Sequence, residues 1–165
     1  LRLFIAVKFT PEVKSTLINA IGQLKELSDG NFTRIENLHL TLAFIGESNR
    51  KADICKIIDK VAPSPFDISV GGYGHFGNLY WVGLKGEKAL YDTAAALRNE
   101  LKTIGIPVDT KPFSPHITIA REVIPHGQIN LSVKETPMRV ERISLMSSER
   151  IDGRLTYKEV YGKNL

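Results

Sequence analysis

Two stretches of the chain, Leu38-His39-Leu40-Thr41-Leu42-Ala43-Phe44-Ile45 and Pro115-His116-Ile117-Thr118-Ile119-Ala120-Arg121, repeat one pattern of His, aliphatic, Thr, aliphatic. Both are rich in β-formers and alternate, so each reads as a strand whose side chains point to opposite faces in turn. That alternation puts His39 and Thr41 on one face against Leu38, Leu40, Leu42 and Phe44 on the other. It likewise sets His116 and Thr118 against Ile117 and Ile119. One such pair is easily a strand showing His and Thr to water. Two copies, with the same aliphatic backing and each following a helix, point to a shared site.

The flanking sequence supplies the rest of the fold. Leu1 to Phe9 alternates as a strand, and Thr10-Pro11 caps a helix with the apolar stripe Val13, Leu17, Ala20, Ile21, Leu24 and Leu27. Asp29-Gly30 reads as a turn before the first motif strand. A second helix carries Ile54, Ile57, Ile58 and Val61 and stops at Pro63 and Pro65. Phe66 to Phe76 and Leu79 to Leu84 form a hairpin through Gly77-Asn78. Leu90, Ala94, Leu97, Leu101 and Ile104 repeat at helical spacing, with Gly105 as a left-handed cap. Beyond the second motif, a short strand is expected near Ile129 to Val133, then a closing hairpin through Arg139 to Glu149 and Arg154 to Tyr161. The predicted fold is α+β: one bilobed, pseudo-duplicated domain over residues 1–165, with two antiparallel sheets facing a central cleft and helices outside.

Composition narrows the function classes. The chain has 165 residues, 42% apolar and 24% charged, which is ordinary globular usage. Its 22 Lys and Arg against 18 Asp and Glu give a formal charge of +4, which modestly favours a polyanionic partner. Cys55 is the one cysteine, so neither an internal disulfide nor a cysteine metal cage can form, and the usage suits a reducing cytoplasm. Cys55 itself reads as a packed helix residue. No apolar run reaches membrane-spanning length, and the first residues lack a basic region leading into a signal core. A cytoplasmic protein is expected.

The paired histidines carry the chemistry. Imidazole titrates near neutrality, so two of them can serve as acid and base in one reaction. Phosphodiester hydrolysis needs both, to deprotonate water and to protonate the leaving alkoxide. Threonine hydroxyls add hydrogen bonds to the non-bridging phosphate oxygens. The chain contains no Gly-x-Ser-x-Gly elbow, Walker loop, Rossmann glycine fingerprint, His-Glu-x-x-His or Cys-x-x-Cys. No metal or cofactor is expected.

With Arg2-Leu3-Phe4-Ile5-Ala6-Val7, Glu36-Asn37-Leu38-His39-Leu40-Thr41-Leu42-Ala43-Phe44-Ile45-Gly46 and Pro112-Phe113-Ser114-Pro115-His116-Ile117-Thr118-Ile119-Ala120-Arg121, the sequence resembles the 2H phosphoesterase superfamily. Specifically it resembles the RNA 2′,3′-cyclic phosphodiesterase branch, also called 2′-5′ RNA ligase-like. The resemblance spans nearly the whole chain. It implies metal-free hydrolysis of a 2′,3′-cyclic phosphate to a 2′-phosphate, with His39 as proton donor and His116 as proton acceptor. The implied partners are RNA ends bearing cyclic phosphates, tRNA fragments among them, acted on by a monomer. A reversible 2′-5′ ligation and a non-catalytic RNA-end-binding module remain as alternatives.

Thr41 and Thr118 are the expected phosphate contacts, and three further residues are candidates. Arg121 resembles a family arginine, yet strict alternation points it away from His116. A bulge would swing it toward substrate; without one it serves the outer face. Phe76 offers a ring for base stacking, as Trp81 does, although strand aromatics commonly sit in a core. Arg34, just before the first motif, offers charge at the cleft rim. His75 and His126 read as surface or turn histidines.

Overall fold

The computed structural model describes residues 1–165. Nine strands and three helices follow in the order β1 (Arg2–Val7), α1 (Pro11–Leu27), β2 (Ser28–Phe32), β3 (Leu40–Glu47), α2 (Lys51–Val61), β4 (Phe66–Phe76), β5 (Leu79–Gly86), α3 (Lys88–Thr103), β6 (His116–Pro125), β7 (Thr136–Val140), β8 (Arg142–Ile151) and β9 (Arg154–Asn164). A single 3-10 turn, Ile35–Asn37, precedes β3. The strands form two antiparallel sheets, sheet A in the order β3-β1-β8-β9 and sheet B in the order β2-β6-β5-β4-β7. The α+β architecture with two antiparallel sheets is as the sequence implied. No helix is long and apolar enough to cross a membrane.

Local chemistry explains the elements. Thr10 Oγ1 accepts from the Val13 amide at 3.4 Å and Pro11 opens α1, whose residues Val13, Leu17, Ala20, Ile21 and Leu24 are buried against sheet B. Helices α2 and α3 pack on each other; α3 also lies against β3, β4 and β5, and α2 against β9. Gly105, with φ of +83°, ends α3 as a left-handed cap. Residues from all three helices and both sheets join in one continuous apolar core of 34 buried side chains. On the opposite face of sheet A, Phe4, Ala6 and Met146 form a separate small cluster with Tyr157 beside it. β1 therefore buries both of its faces, and this explains its nearly unbroken apolar run.

Two expectations fail for identifiable reasons. Asp29-Gly30 lies within β2, paired to β6, instead of forming a turn. Gly30 serves close packing there: a Cβ at this position would stand 3.2 Å from the Arg121 carbonyl oxygen and the Val123 Cα. Ile129 to Val133 forms no strand, and β7 begins later, at Thr136. Ile129, Leu131 and Val133 still pack on the core, but Gln23 of α1 satisfies this backbone, accepting from the Ser132 amide and donating to its carbonyl at 2.8 Å each. Apolar alternation there reflects burial without a ladder. Arg139, expected in the closing hairpin, lies in β7.

Candidate active site

The histidines stand at the start of neighbouring strands from different sheets. His116 opens β6, and His39 immediately precedes β3; the two strands approach each other across the sheet boundary. His39 Nδ1 lies 2.7 Å from the Asn37 carbonyl oxygen, and His116 Nδ1 lies 2.8 Å from that of Ser114. A carbonyl can only accept, so Nδ1 carries the proton in each ring and Nε2 is presented. Each imidazole is thus pinned to a carbonyl two residues upstream. His39 Nε2 is 2.9 Å from Thr41 Oγ1, which donates to it when the ring is neutral. Asn37 is itself buried, and its side-chain amide donates to the Leu155 carbonyl of β9 at 2.8 Å.

A β-bulge follows each motif at the same offset. On β3, Thr41 pairs with Ala6 but Ala43 with Ile5, so Leu42 is the extra residue. On β6, Thr118 pairs with Trp81 but Ala120 with Tyr80, leaving Ile119 as the extra residue. Two successive residues are therefore buried in each strand, Leu42 with Ala43 and Ile119 with Ala120, and the alternation inverts beyond them. This corrects the expectation for Phe44, which stands on the His39 face, 46% exposed, instead of with Leu40 and Leu42. The same inversion returns Arg121 to the His116 face.

The charge of Arg121 is felt across the sheet boundary. Burial chiefly lowers the pKa of His39 from its ordinary value; the Asn37 hydrogen bond opposes this, and the Arg121 cation adds to the lowering. Tyr157 of β9 has its pKa raised by burial, against the influence of Arg121 and then Arg2. The His39 ring lies 4.9 Å from Phe4 and 5.1 Å from Tyr157, so aromatic walls flank it on two sides. His116 touches one aromatic ring, Phe76, edge-on at 5.4 Å. Phe76, 54% exposed, also contacts Trp81 at 5.5 Å. Trp81 lies across Gly74, where a Cβ would collide with the indole, and its Nε1 has no partner.

Other candidates separate from this group. Arg34 is engaged with Glu36 at 3.5 Å and the Leu155 carbonyl at 3.4 Å. His75 stacks on Tyr80 and bonds the Gly77 carbonyl at 2.9 Å, while exposed His126 lies 3.1 Å from Asp29. Cys55 packs partly buried on α2, and burial raises its pKa. Nowhere do three or more His, Cys, Asp or Glu side chains gather as metal ligands would. Sequence reasoning missed Asn37, Phe4 and Tyr157 as neighbours of His39. Asn37 and Phe4 lie inside the quoted motifs, whereas nothing in the local pattern around Tyr157 marks it.

Comparison with known proteins identifies the family and the fold. The sequence model of the 2′-5′ RNA ligase superfamily matches residues 13–152. This chain belongs to that superfamily. Among superfamily relatives, an RNA 2′,3′-cyclic phosphodiesterase of Archaeoglobus fulgidus is 33% identical over 128 residues, covering 73% of this chain and 72% of the relative. One of Thermotoga maritima is 34% identical over 133 residues, covering 73% and 70%. A third, of Geobacillus stearothermophilus, is 33% identical over 129 residues; the alignment covers 72% of this chain but 41% of that longer protein. In fold, a crystal structure from Thermus thermophilus superposes with a TM-score of 0.90 at 26% identity, over 100% of this chain and 98% of the other. Escherichia coli LigT in complex with 3′-AMP gives 0.87 at 23% identity, over 99% and 97%, a likeness of fold.

Proposed function

We propose that this 2′-5′ RNA ligase superfamily member hydrolyses 2′,3′-cyclic phosphate ends of RNA to 2′-phosphates, with His39 as proton donor and His116 as proton acceptor. The observation that carries the reading is a pair of imidazoles on adjoining strands, each pinned through Nδ1 with Nε2 presented, with the unpaired cation of Arg121 acting on one of them, His39. The names of the relatives support the reaction class.

In the proposed reaction His116 Nε2 takes a proton from water as its oxygen attacks phosphorus. The bond from phosphorus to the 3′ oxygen breaks, and His39 delivers a proton from Nε2 to that oxygen. Thr41 and Thr118 donate to the non-bridging oxygens, and Arg121 balances their charge. In the free chain, burial and Arg121 favour neutral His39, which alone would make it a poor acid. A phosphate anion against Arg121 cancels that repulsion and favours the imidazolium, so substrate binding loads the acid. Protonation of Nε2 also ends its acceptance from Thr41, freeing that hydroxyl for phosphate. With a 5′-hydroxyl in place of water as the attacking group, the same bond to the 3′ oxygen would break and the same groups would make a 2′-5′ linkage, the activity in the superfamily's name.

The test is phosphorus NMR of the products after incubation with an oligonucleotide ending in a 2′,3′-cyclic phosphate, with and without a metal chelator. The expected product is the 2′-phosphate alone, at an unchanged rate with chelator. A 3′-phosphate, or activity restored only by one divalent ion, would overturn the mechanism. Tight binding without turnover would make the chain an RNA-end-binding module.

A further inference from the structure

Arg2 makes no side-chain hydrogen bond or ion pair, although most arginines of the chain are engaged: Arg34, Arg50, Arg98, Arg139, Arg142 and Arg150 each have a partner. It lies instead over the exposed ring of Phe44, with the guanidinium carbon 5.1 Å from the ring centroid. Neither group is accounted for by the catalytic arrangement. An aromatic face is a weak partner for a cation in contact with water, and a nearly half-exposed phenyl ring contributes little to the core.

Their position is informative. Arg2, Phe4 and Ala6 alternate along the His39 face of β1, with Phe44 opposite Phe4 and Thr41 opposite Ala6. Across β8, Arg2 pairs with Ser148, which pairs in turn with Tyr157, so Arg2 and Tyr157 share one row of the sheet. Glu47, opposite Arg2 on β3, lies 3.4 Å from the Leu1 amino group and forms no pair with the guanidinium. From Phe4, whose ring contacts His39, Arg2 is two residues along the strand, about 7 Å. That step is comparable to the backbone length of one nucleotide.

We propose that Arg2, held over Phe44 at the open end of this sheet face, binds the phosphate on the 5′ side of the nucleotide that carries the cyclic phosphate. The inference rests on the phosphodiesterase reading above and adds a second anion contact one nucleotide from the scissile group. A guanidinium fork matches two phosphate oxygens, and the ring beneath it limits its rotamers without consuming its hydrogen-bond donors. The phosphate can be an internucleotide diester of RNA or a free 5′-monophosphate; both present the same oxygens.

The experiment compares kcat/KM for cytidine 2′,3′-cyclic phosphate, its 5′-phosphorylated form, and a dinucleotide ending in the same cyclic nucleotide. The native chain is expected to prefer substrates with the 5′ phosphate by about tenfold or more, the range of a charge-assisted hydrogen bond. Arg2→Gln should bring that ratio close to one, Arg2→Lys should keep part of it, and circular dichroism should show both variants folded. A preference for the dinucleotide over the 5′-monophosphate identifies RNA as the source of the phosphate; the opposite order identifies a mononucleotide. A gain with the dinucleotide alone would mean that a base is recognised and would overturn the proposal. So would a native ratio near one, or an Arg2→Gln ratio equal to native. Failure of the native chain to turn over any of the three substrates is a different result, and it would remove the phosphodiesterase reading together with this one.

Discussion

His39 and His116 share a motif, a carbonyl anchor and a bulge at the same offset, yet they sit in different surroundings. His39 is walled by Phe4 and Tyr157, bonded to Thr41 and overlooked by Arg121. His116 meets the edge of Phe76, and its Nε2 has no protein partner. Backbone geometry is therefore repeated while electrostatics is not. One anchoring scheme fixes the tautomer of both rings, and under the proposed reaction the neighbours divide the roles. A base must meet water, which suits the open ring. An acid that charges only when phosphate arrives suits the enclosed one.

The largest effects should come from removing either ring. His39→Ala and His116→Ala are each expected to lower kcat by about two to four orders of magnitude while the fold persists, as circular dichroism would show. Near-native turnover in either variant would end the two-histidine reading. A cyclic substrate with sulfur at the bridging 3′ position then separates the roles, because a thiolate leaving group needs little protonation. His39→Ala should recover much of its loss on that substrate, relative to native, and His116→Ala little. Selective rescue of His116→Ala would reverse the assignment.

The threonines should split the comparison at the next level. Thr41→Val and Thr118→Val are each expected to cost about 2 to 4 kcal/mol of transition-state stabilisation, the range for one oxyanion donor. Only Thr41→Val also removes a hydroxyl from His39 Nε2, so it alone should alter the pH profile. Unchanged rates in both would reduce the hydroxyls to strand decoration.

The smallest effect expected is a displacement along the pH axis. An acid must be protonated to work, and the pKa of His39 lies below the usual imidazole value in the free chain. In His116→Ala, where no second ring titrates, the alkaline limb of the remaining kcat/KM, which reports the free enzyme, should accordingly fall below the ordinary imidazole range. The alkaline limb of kcat, which reports the complex, should lie higher because bound phosphate offsets Arg121. Tyr157→Ser admits water beside His39 and should move the kcat/KM limb upward. If the limbs coincide in that background and Tyr157→Ser added to it moves neither, the enclosure of His39 has no bearing on its role.

Much of this site is visible in the residues themselves. The His-x-Thr repeats, the helices and the β4–β5 hairpin announce themselves through period and punctuation, each a local property. The destination of Arg121 and Phe44 does not, because a bulge changes parity without changing composition; Leu42-Ala43 and Ile119-Ala120 look like ordinary strand. Tyr157 is invisible for another reason: its contact with His39 depends on β9 joining β3 and β1 in one sheet, a pairing that spans most of the chain. Local pattern likewise misread Gly30, whose missing side chain serves an approach to β6 instead of a turn.

The central place of β1 has a consequence for synthesis. Its partner β8 and the β9 strand that carries Tyr157 are translated more than 130 residues after β1. At about 5 to 20 residues per second, one edge of β1 waits roughly 7 to 30 seconds for its partner. During that interval an apolar strand with an open edge is exposed to pairing with other nascent chains. Phosphoesterase competence should therefore appear late and all at once, when the hairpin of β8 and β9 closes the sheet, and nascent chains stalled before residue 142 should be inactive and chaperone-dependent.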